Sequence, residues 1–400
     1  MTLPLIIRRS LRQHAFSTTI TALAVALAGG LLMSVWVVKE QSQKTFTQVN
    51  TGFDAVLGAR SSKLQLVLNA IFHLEASPGN VSAVDYEFIK KHPAVKLAIP
   101  IAVGDNLRGF RIVGTVPELF TQVEYTAGKK FTLSAGRLFD PALKEAVLGS
   151  FAAQKLGLKV GDEFHPFHGL IYDERNQHAE TFHVVGVLAP SNTPADKVVW
   201  IPLHGLQTMT GHDPRVATDV SAVLIQLRSP TAGFMLDMMY NKQGNRLTFA
   251  FPIGAIMAQL FQKIGWFDQV LTLVAYLVAL VSAAGVLAAI YNSMSARRRD
   301  IAILRALGAG RLLLFSAIVL ESAVIGAIGM AVAFGIYAAI VSGVAVVIRA
   351  QTGVMLETFV YSPIMAWAPP AMILLCALCG LLPAWKAYRT DVAESLAPVS

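Results

Sequence analysis

Hydrophobic and polar positions divide this chain into long apolar runs and one block of mixed pattern. The apolar runs cover Ile20 to Val38, about Gln269 to Tyr291, about Leu312 to Ile348 and about Met365 to Leu382. A helix that crosses a bilayer needs about 20 mostly apolar residues, so each run predicts a span. The third is longer than a bilayer requires, and tilt or projection beyond the membrane absorbs the excess. Pro369-Pro370 and Pro383 read as the opening and close of the fourth. The first run has the basic flank and apolar centre of a signal peptide. It is long for one, and Ala24-Val25-Ala26 lie inside it instead of after it, so it reads as an uncleaved anchor.

The block from Lys39 to Trp266 alternates strand-like and helix-like stretches. Ser82-Ala83-Val84-Asp85 offers a capped start for a helix to Lys91, stopped by Pro93. Strands are expected at Val95–Val103, Phe110–Val116, Thr181–Leu188, Lys197–Pro202, Val220–Leu227 and Leu247–Phe251, rich in β-branched and aromatic residues and bounded by Gly, Pro or Asp. Glu145 to Asp162 reads as strand, helix and turn. Leu64 to Gly79 is apolar but shorter than a bilayer and carries Gln65, Asn69, His73 and Glu75, which makes it a packed or partner-facing helix near the membrane surface. From Ala255 a helical pattern runs almost unbroken to Leu307. The expected fold class is a membrane protein: four transmembrane α-helices plus a large α+β extracytoplasmic domain inserted between spans one and two. In residue ranges, 1–18 form an interfacial helix, 19–38 the first span, 39–266 the outer domain and 267–294 the second span with its stalk. Residues 295–311 form a cytoplasmic helix, 312–348 the third span, 349–364 a short outer loop, 365–383 the fourth span and 384–400 a cytoplasmic tail.

Charge orients these elements. Of the 400 residues only 14% are charged, against about a quarter in soluble domains, and the formal net charge is +8. The basic residues cluster beside apolar runs: Arg8, Arg9 and Arg12 before the first, Arg297 to Arg299 after the second, Lys386 and Arg389 after the fourth. That placement is a topology signal for cytoplasmic loops, not a nucleic-acid footprint. It puts both termini in the cytoplasm and the 39–266 block outside. Leu3, Ile6, Ile7 and Leu11 recur at helical spacing among the first arginines, the pattern of a helix lying in the interface of the lipid bilayer.

Candidate chemistry is sparse. The two cysteines, Cys376 and Cys379, lie in the last apolar run without a nearby His or acid and read as small hydrophobes. His165, His168, His178 and His183 do not repeat at a metal-ligand spacing backed by Cys or acids, so they read as solvated loop histidines and no metal site is expected. No nucleophile elbow and no His-Glu-x-x-His occurs, so no catalytic residue is assigned. Glu321 is the one acid clearly inside a span, either a structural partner of a nearby arginine or a functional group. Small residues recur every four positions: Ala22, Ala26 and Gly30 in the first span, Gly285 and Ala289 in the second, Gly329 and Ala333 in the third. Such faces let helix backbones approach in lipid, either within one bundle or between two copies of the chain.

Ser293 to Arg311 interrupts this hydrophobic sequence with a charged, helix-forming stretch. A topology signal needs only a few arginines, whereas Asp300-Ile301-Ala302-Ile303-Leu304-Arg305-Ala306-Leu307-Gly308-Ala309 is more ordered than that. Together with Arg298-Arg299 before it, the stretch resembles the cytoplasmic segment between spans two and three of the MacB/FtsX/LolC family of ABC permeases. Val113-Gly114-Thr115, Gly136-Arg137, Glu145-Ala146-Val147-Leu148-Gly149, Leu156-Gly157-Leu158-Lys159-Val160-Gly161-Asp162 and Val184-Val185-Gly186-Val187 resemble that family's periplasmic core domain. Leu382-Pro383-Ala384-Trp385-Lys386-Ala387 resembles its ending.

The resemblance implies the membrane subunit of a transporter in a bacterial inner membrane, built as a homodimer or a heterodimer with a related permease. Two copies of a cytosolic ABC ATPase subunit are implied as partners, gripping the segment at Arg297, Arg298, Arg299, Asp300, Ile301, Leu304, Arg305, Ala306, Leu307 and Gly308. The chain has no Gly-x-x-x-x-Gly-Lys-[Ser/Thr] phosphate loop, so ATP and Mg²⁺ are expected on the partner and no cofactor on this chain. The family implies mechanotransmission for export or outer-leaflet extraction of an amphiphilic envelope substrate. Its alternative is transmembrane signalling to a periplasmic adaptor, lipoprotein or hydrolase without transport.

Overall fold

The structure is a computed structural model that describes residues 3–48, 52–211, 218–296, 309–354 and 360–389. The chain divides into two compact units: a helical one (Met1–Gln41, Ile264–Ala345, Glu357–Ser400) and an α+β one (Ser42–Lys263 with Val346–Leu356).

In the helical unit the first eleven-residue helix, Leu3–Gln13, half-buries Leu3, Ile7 and Leu11 and exposes Arg8, Arg9 and Arg12. A turn at His14 separates it from the Ala15–Gln48 helix. Three described helices are long and apolar enough to cross a membrane: Ala15–Thr45, Arg311–Thr352 and Pro363–Trp385. A shorter apolar stretch, Gln269–Gly285, lies within the helix Gly265–Ala296. The unit's interior is built from Val25, Ala26, Met33 and Val37 of the first long helix, Met330, Ala333, Tyr337 and Val341 of the third, and Ala368, Met372 and Cys376 of the last.

Two expectations change here. The last helix runs Pro363–Arg389 straight through Pro369, Pro370 and Pro383, so these prolines do not bound it. Each removes one i→i−4 bond, a loss that membrane-spanning helices tolerate when the freed groups find other partners. The pattern from Ala255 to Leu307 also breaks: one helix spans Ile253–Lys263, Ile264 turns, and a new helix starts at Gly265, the residue with the poorest helix propensity after proline. Beyond Ala296 that pattern lies outside the described residues.

The α+β unit contains β1 (Ala55–Ala59), β2 (Val95–Leu107), β3 (Phe110–Thr115), β4 (Glu124–Thr126), β5 (Lys129–Lys130), β6 (Leu133–Gly136) and β7 (Glu145–Leu148). It continues with β8 (Glu163–Phe164), β9 (Phe167–His168), β10 (Phe182–Leu188), β11 (Val199–Pro202), β12 (Ala222–Leu227) and β13 (Leu247–Ala250). All but β4 and β5, which pair with each other, join in the order β13-β1-β12-β2-β3-β11-β7-β10-β6, with β8 on β10 and β9 on β2. β2 is the strand both halves share. Its residues Val95 to Ile101 pair antiparallel with β12, and Ala102 to Leu107 pair with β3. A bulge between Val103 and Asp105 carries the strand four residues past its expected end at Val103. The mixed half holds two parallel pairs, β3 with β11 and β7 with β10.

Local signals explain most of these elements. Ser82 accepts from the Asp85 amide and caps the helix Ala83–Lys90. Lys197 belongs to a 3₁₀ turn, Pro194–Lys197, so its strand starts only at Val199. The apolar stretch at Leu64 forms the helix Lys63–Ala70, which buries Leu66, Val67 and Ala70 in the domain core beside Ile99, Val113 and Trp200.

Candidate functional site

The residues expected to meet an ATPase (Arg297, Arg298, Arg299, Asp300, Ile301, Leu304, Arg305, Ala306, Leu307 and Gly308) lie outside the described residues. The structure describes their flanks. On the C-terminal side, Arg311 opens the Arg311–Thr352 helix with its guanidinium 5.7 Å above the ring of Tyr388 from the last helix. Nearly three turns further on, Glu321 accepts a hydrogen bond from the Ser10 hydroxyl of the Leu3–Gln13 helix. This contact joins residues 311 positions apart, which spacing along the chain cannot disclose. Beside this contact runs an apolar groove of about 640 Å³, lined by Leu3, Ile7 and Leu11, by Ala22 and Leu23, and by Leu320.

The small-residue faces have unequal fates. A Cβ on Gly329 would lie 2.7 Å from Val25 Cβ and 2.8 Å from the Ala22 carbonyl oxygen. One on Gly30 would lie 2.8 Å from Ile336 and 3.1 Å from the Ala333 carbonyl oxygen. Ala22, Gly30, Gly329 and Ala333 therefore form one close helix crossing inside the chain, with Ala26 buried in the same interior. Gly29, which the four-residue spacing did not select, is equally tight against Met330. A Cβ on Gly285 would meet nothing within 4 Å. The backbone of Ala289 is helical, and its side chain lies outside the described atoms.

In the α+β unit the end of the Arg311–Thr352 helix is clasped. The helix reaches four residues beyond Ile348, where a loop was expected, and residues Val346–Leu356 group with the domain. Gly353, at φ +79°, sends its amide back to the Arg349 carbonyl at 2.9 Å, a left-handed helix stop. Lys197 Nζ donates to the Gln351 carbonyl at 2.7 Å, placing a cation at the negative end of the helix dipole. A Cβ on Gly353 would sit 3.0 Å from Lys197 Cβ, so glycine permits both the turn and the approach. Arg349 lies 5.0 Å above the Phe151 ring. Burial, and then the nearby Arg111 charge, push the Lys197 ammonium below its ordinary pKa. Lys197, Phe151 and Arg349 carried no sequence signal. A second connection is covalent: Ile253, Ile256 and Met257 of the Ile253–Lys263 helix are buried in the domain core, and the Gly265–Ala296 helix follows within two residues.

The domain motifs are structural. Arg137 forms a two-pronged pair with Glu145, at 2.7 and 2.5 Å, so Gly136-Arg137 and Glu145-Ala146-Val147-Leu148-Gly149 are one assembly. The Arg137 hydrogen bond holds the Glu145 carboxyl below its ordinary range, against the opposing effect of burial. A Cβ on Gly136, itself at φ +76°, would lie 2.0 Å from the Val185 carbonyl oxygen, and one on Gly149 2.4 Å from the Ala195 carbonyl oxygen. His73, at φ 55°, sits edge-on to Trp200 with ring centroids 5.7 Å apart. Its buried Nδ1 has no hydrogen-bond partner. Burial, with Arg111 adding to it, pushes its pKa down to about 3, so it stays neutral. Of the four histidines read as solvated, His165, His168 and His183 are exposed, but His178 is buried. It is held by backbone pairing of its segment that local sequence does not reveal.

Comparison with known proteins gives two family matches. Residues 18–233 match the MacB-like periplasmic core domain, and residues 272–392 match the FtsX-like permease C-terminal region. A crystal structure of the periplasmic region of MacB from Actinobacillus actinomycetemcomitans is similar at 12% identity and a TM-score of 0.35, over 54% of this chain and 94% of that one. No curated protein matches the chain.

Proposed function

Because the chain belongs to the family of multi-pass ABC permeases with a MacB-like periplasmic core domain and an FtsX-like C-terminal region, and such permeases work with an ABC ATPase, we propose that it is a mechanotransmission subunit. In this reading, two ATPase copies bind Arg297–Gly308 of a permease dimer in a bacterial inner membrane, with both termini cytoplasmic and Gly265–Ala296 as the second of four spans. Closing and opening of the ATPase pair moves the long helices, and the outer α+β domain follows. The work is export or outer-leaflet extraction of an amphiphilic envelope substrate.

The observation that carries the reading is the clasp. A helix that crosses a membrane and ends by hydrogen bonding to a folded domain transmits displacement only if its end is fixed. The Lys197–Gln351 bond, the Gly353 stop and the Arg349–Phe151 contact supply that fixation. The buried face of Ile253–Lys263 supplies a second point of attachment. The apolar groove beside Ser10 and Glu321 suits a lipid tail and supports placement of the first helix in the interface.

The test is to co-purify the chain with the ATPase encoded beside it and measure ATP hydrolysis in nanodiscs. Leu304→Asp and Leu307→Asp are expected to abolish co-purification and permease-dependent hydrolysis while the melting temperature of the chain alone is unchanged. Intact assembly and hydrolysis in both variants would overturn the coupling assignment. Substrate efflux, set against periplasmic hydrolase activity in a strain lacking the chain, then separates transport from signalling.

A further inference from the structure

The α+β unit brings together three groups that lie 63 and 10 residues apart along the chain: Asp105, His168 and His178. Their ligand atoms all lie within 4.8 Å of one another. Backbone pairing creates the cluster. The β2 bulge between Val103 and Asp105 sets Asp105 directly opposite His168 of β9. Phe167 bridges in turn to Gln177, and the His178 amide donates to the Pro166 carbonyl at 2.9 Å. Three adjacent backbone segments therefore each contribute one ligand, without long side chains having to order. Asn106 holds the turn after His168 by donating to the Gly169 carbonyl at 2.9 Å.

The distances suit a metal site. His168 Nδ1 and His178 Nε2 each lie 3.3 Å from the same oxygen, Asp105 Oδ1. A charge-assisted N–H···O⁻ bond is shorter, about 2.7–2.9 Å. Ligands about 2.0–2.2 Å from a tetrahedral Zn²⁺ are separated by about 3.3–3.5 Å. The tautomer points the same way. His178 Nδ1 lies 2.9 Å from the Thr210 carbonyl, which can only accept, so Nδ1 carries the proton. In the neutral ring Nε2 then presents its lone pair to a carboxylate oxygen. Two acceptors then face each other, and either a second proton or a metal cation between them resolves the conflict.

The outer contacts match those of metal-bound imidazoles, which donate their second N–H to a carbonyl or carboxylate. Thr210, whose carbonyl accepts the hydrogen bond from His178, is itself fixed by Glu180: its amide and hydroxyl donate to Oε1 at 2.8 and 2.6 Å. Asp105 and His178 are buried while His168 is exposed, so the site has a closed floor and an open mouth.

We propose that Asp105 Oδ1, His168 Nδ1 and His178 Nε2 bind a Zn²⁺ ion, with solvent completing a tetrahedron at the mouth. Two imidazoles and one carboxylate are a borderline donor set suited to zinc, and too nitrogen-rich for Ca²⁺ or Mg²⁺. The ion pins the β9 segment and the stretch up to His178 onto β2.

The test uses full-length chain in detergent, purified without a polyhistidine tag and stripped with chelator. Zn²⁺ is titrated against a chromophoric competitor, with thermal unfolding read in parallel. One equivalent of tight Zn²⁺ and a zinc-dependent rise in melting temperature are expected. His168→Ala, at an exposed position, keeps the chelator-treated melting temperature and loses at least about tenfold in affinity together with the zinc-dependent rise. The control is His183→Ala, which removes another exposed histidine beside an acid, Glu163, and binds like the parent. Absence of saturable binding in the parent, or equal behaviour of the His168 and His183 variants, overturns the site.

Discussion

Gly329→Ala adds one methyl group where the structure has no room for it. The new Cβ would lie 2.7 Å from Val25 Cβ and 2.8 Å from the Ala22 carbonyl oxygen, both on the first long helix. Ordinary carbon contacts are about 3.5–4.0 Å, so the two helices must separate by the better part of an ångström. Neither neighbour yields easily, because one is a β-branched carbon and the other is backbone. Overpacking of this kind costs about 1–3 kcal/mol. Gly285→Ala is the matched control: its Cβ meets nothing within 4 Å. The same exchange there reports only helix propensity, which favours alanine by up to about 1 kcal/mol. The two substitutions are therefore expected to differ in sign. Thermal unfolding of the full chain in detergent, followed by tryptophan fluorescence, should show Gly329→Ala melting several degrees below the parent and Gly285→Ala level with it or above. Equal melting temperatures for the two variants would refute the assignment of the Gly329 face to packing within one chain.

Acid should weaken the α+β domain through His73. Its folded pKa of about 3 lies below the ordinary value of 6.5, so between those limits the unfolded chain takes up a proton that the folded one refuses. Stability is then full above pH 6.5 and falls with pH, by at most about 2 kcal/mol at pH 5; the melting temperature of His73→Phe should vary less across that range than the parent's. Lys197→Ala removes the cation from the end of the Arg311–Thr352 helix, at a cost of about 1 kcal/mol. It should leave ATPase binding intact while lowering permease-dependent activity several-fold, and unchanged activity would count against the clasp as a transmitting joint.

Much of this architecture was legible from local pattern, for identifiable reasons. A bilayer span is specified by the composition of about 20 consecutive residues, so Ile20–Val38 and Leu312–Ile348 were readable without any partner. Ser82 before Asp85, and the β-branched runs at Val95, Phe110 and Val220, act over a few residues and gave their elements within a few positions. Proline misled in the last helix because a membrane-spanning helix tolerates it inside, which its local helix-breaking cost does not disclose.

What the sequence by itself determined, then, is the set of elements, their apolar character and a family resemblance across the chain. Tertiary structure decided which elements meet. Four-residue spacing nominated Gly285 and Gly329 alike, yet among the described residues a Cβ would meet another helix at Gly329 and not at Gly285, because spacing defines a face and not its occupant. Lys197 meets Gln351 across 154 positions, and Asp105 meets His178 across 73. Such contacts depend on strand order, register and a single bulge in β2, which arise from long-range pairing. No window of sequence short enough to read for periodicity contains them.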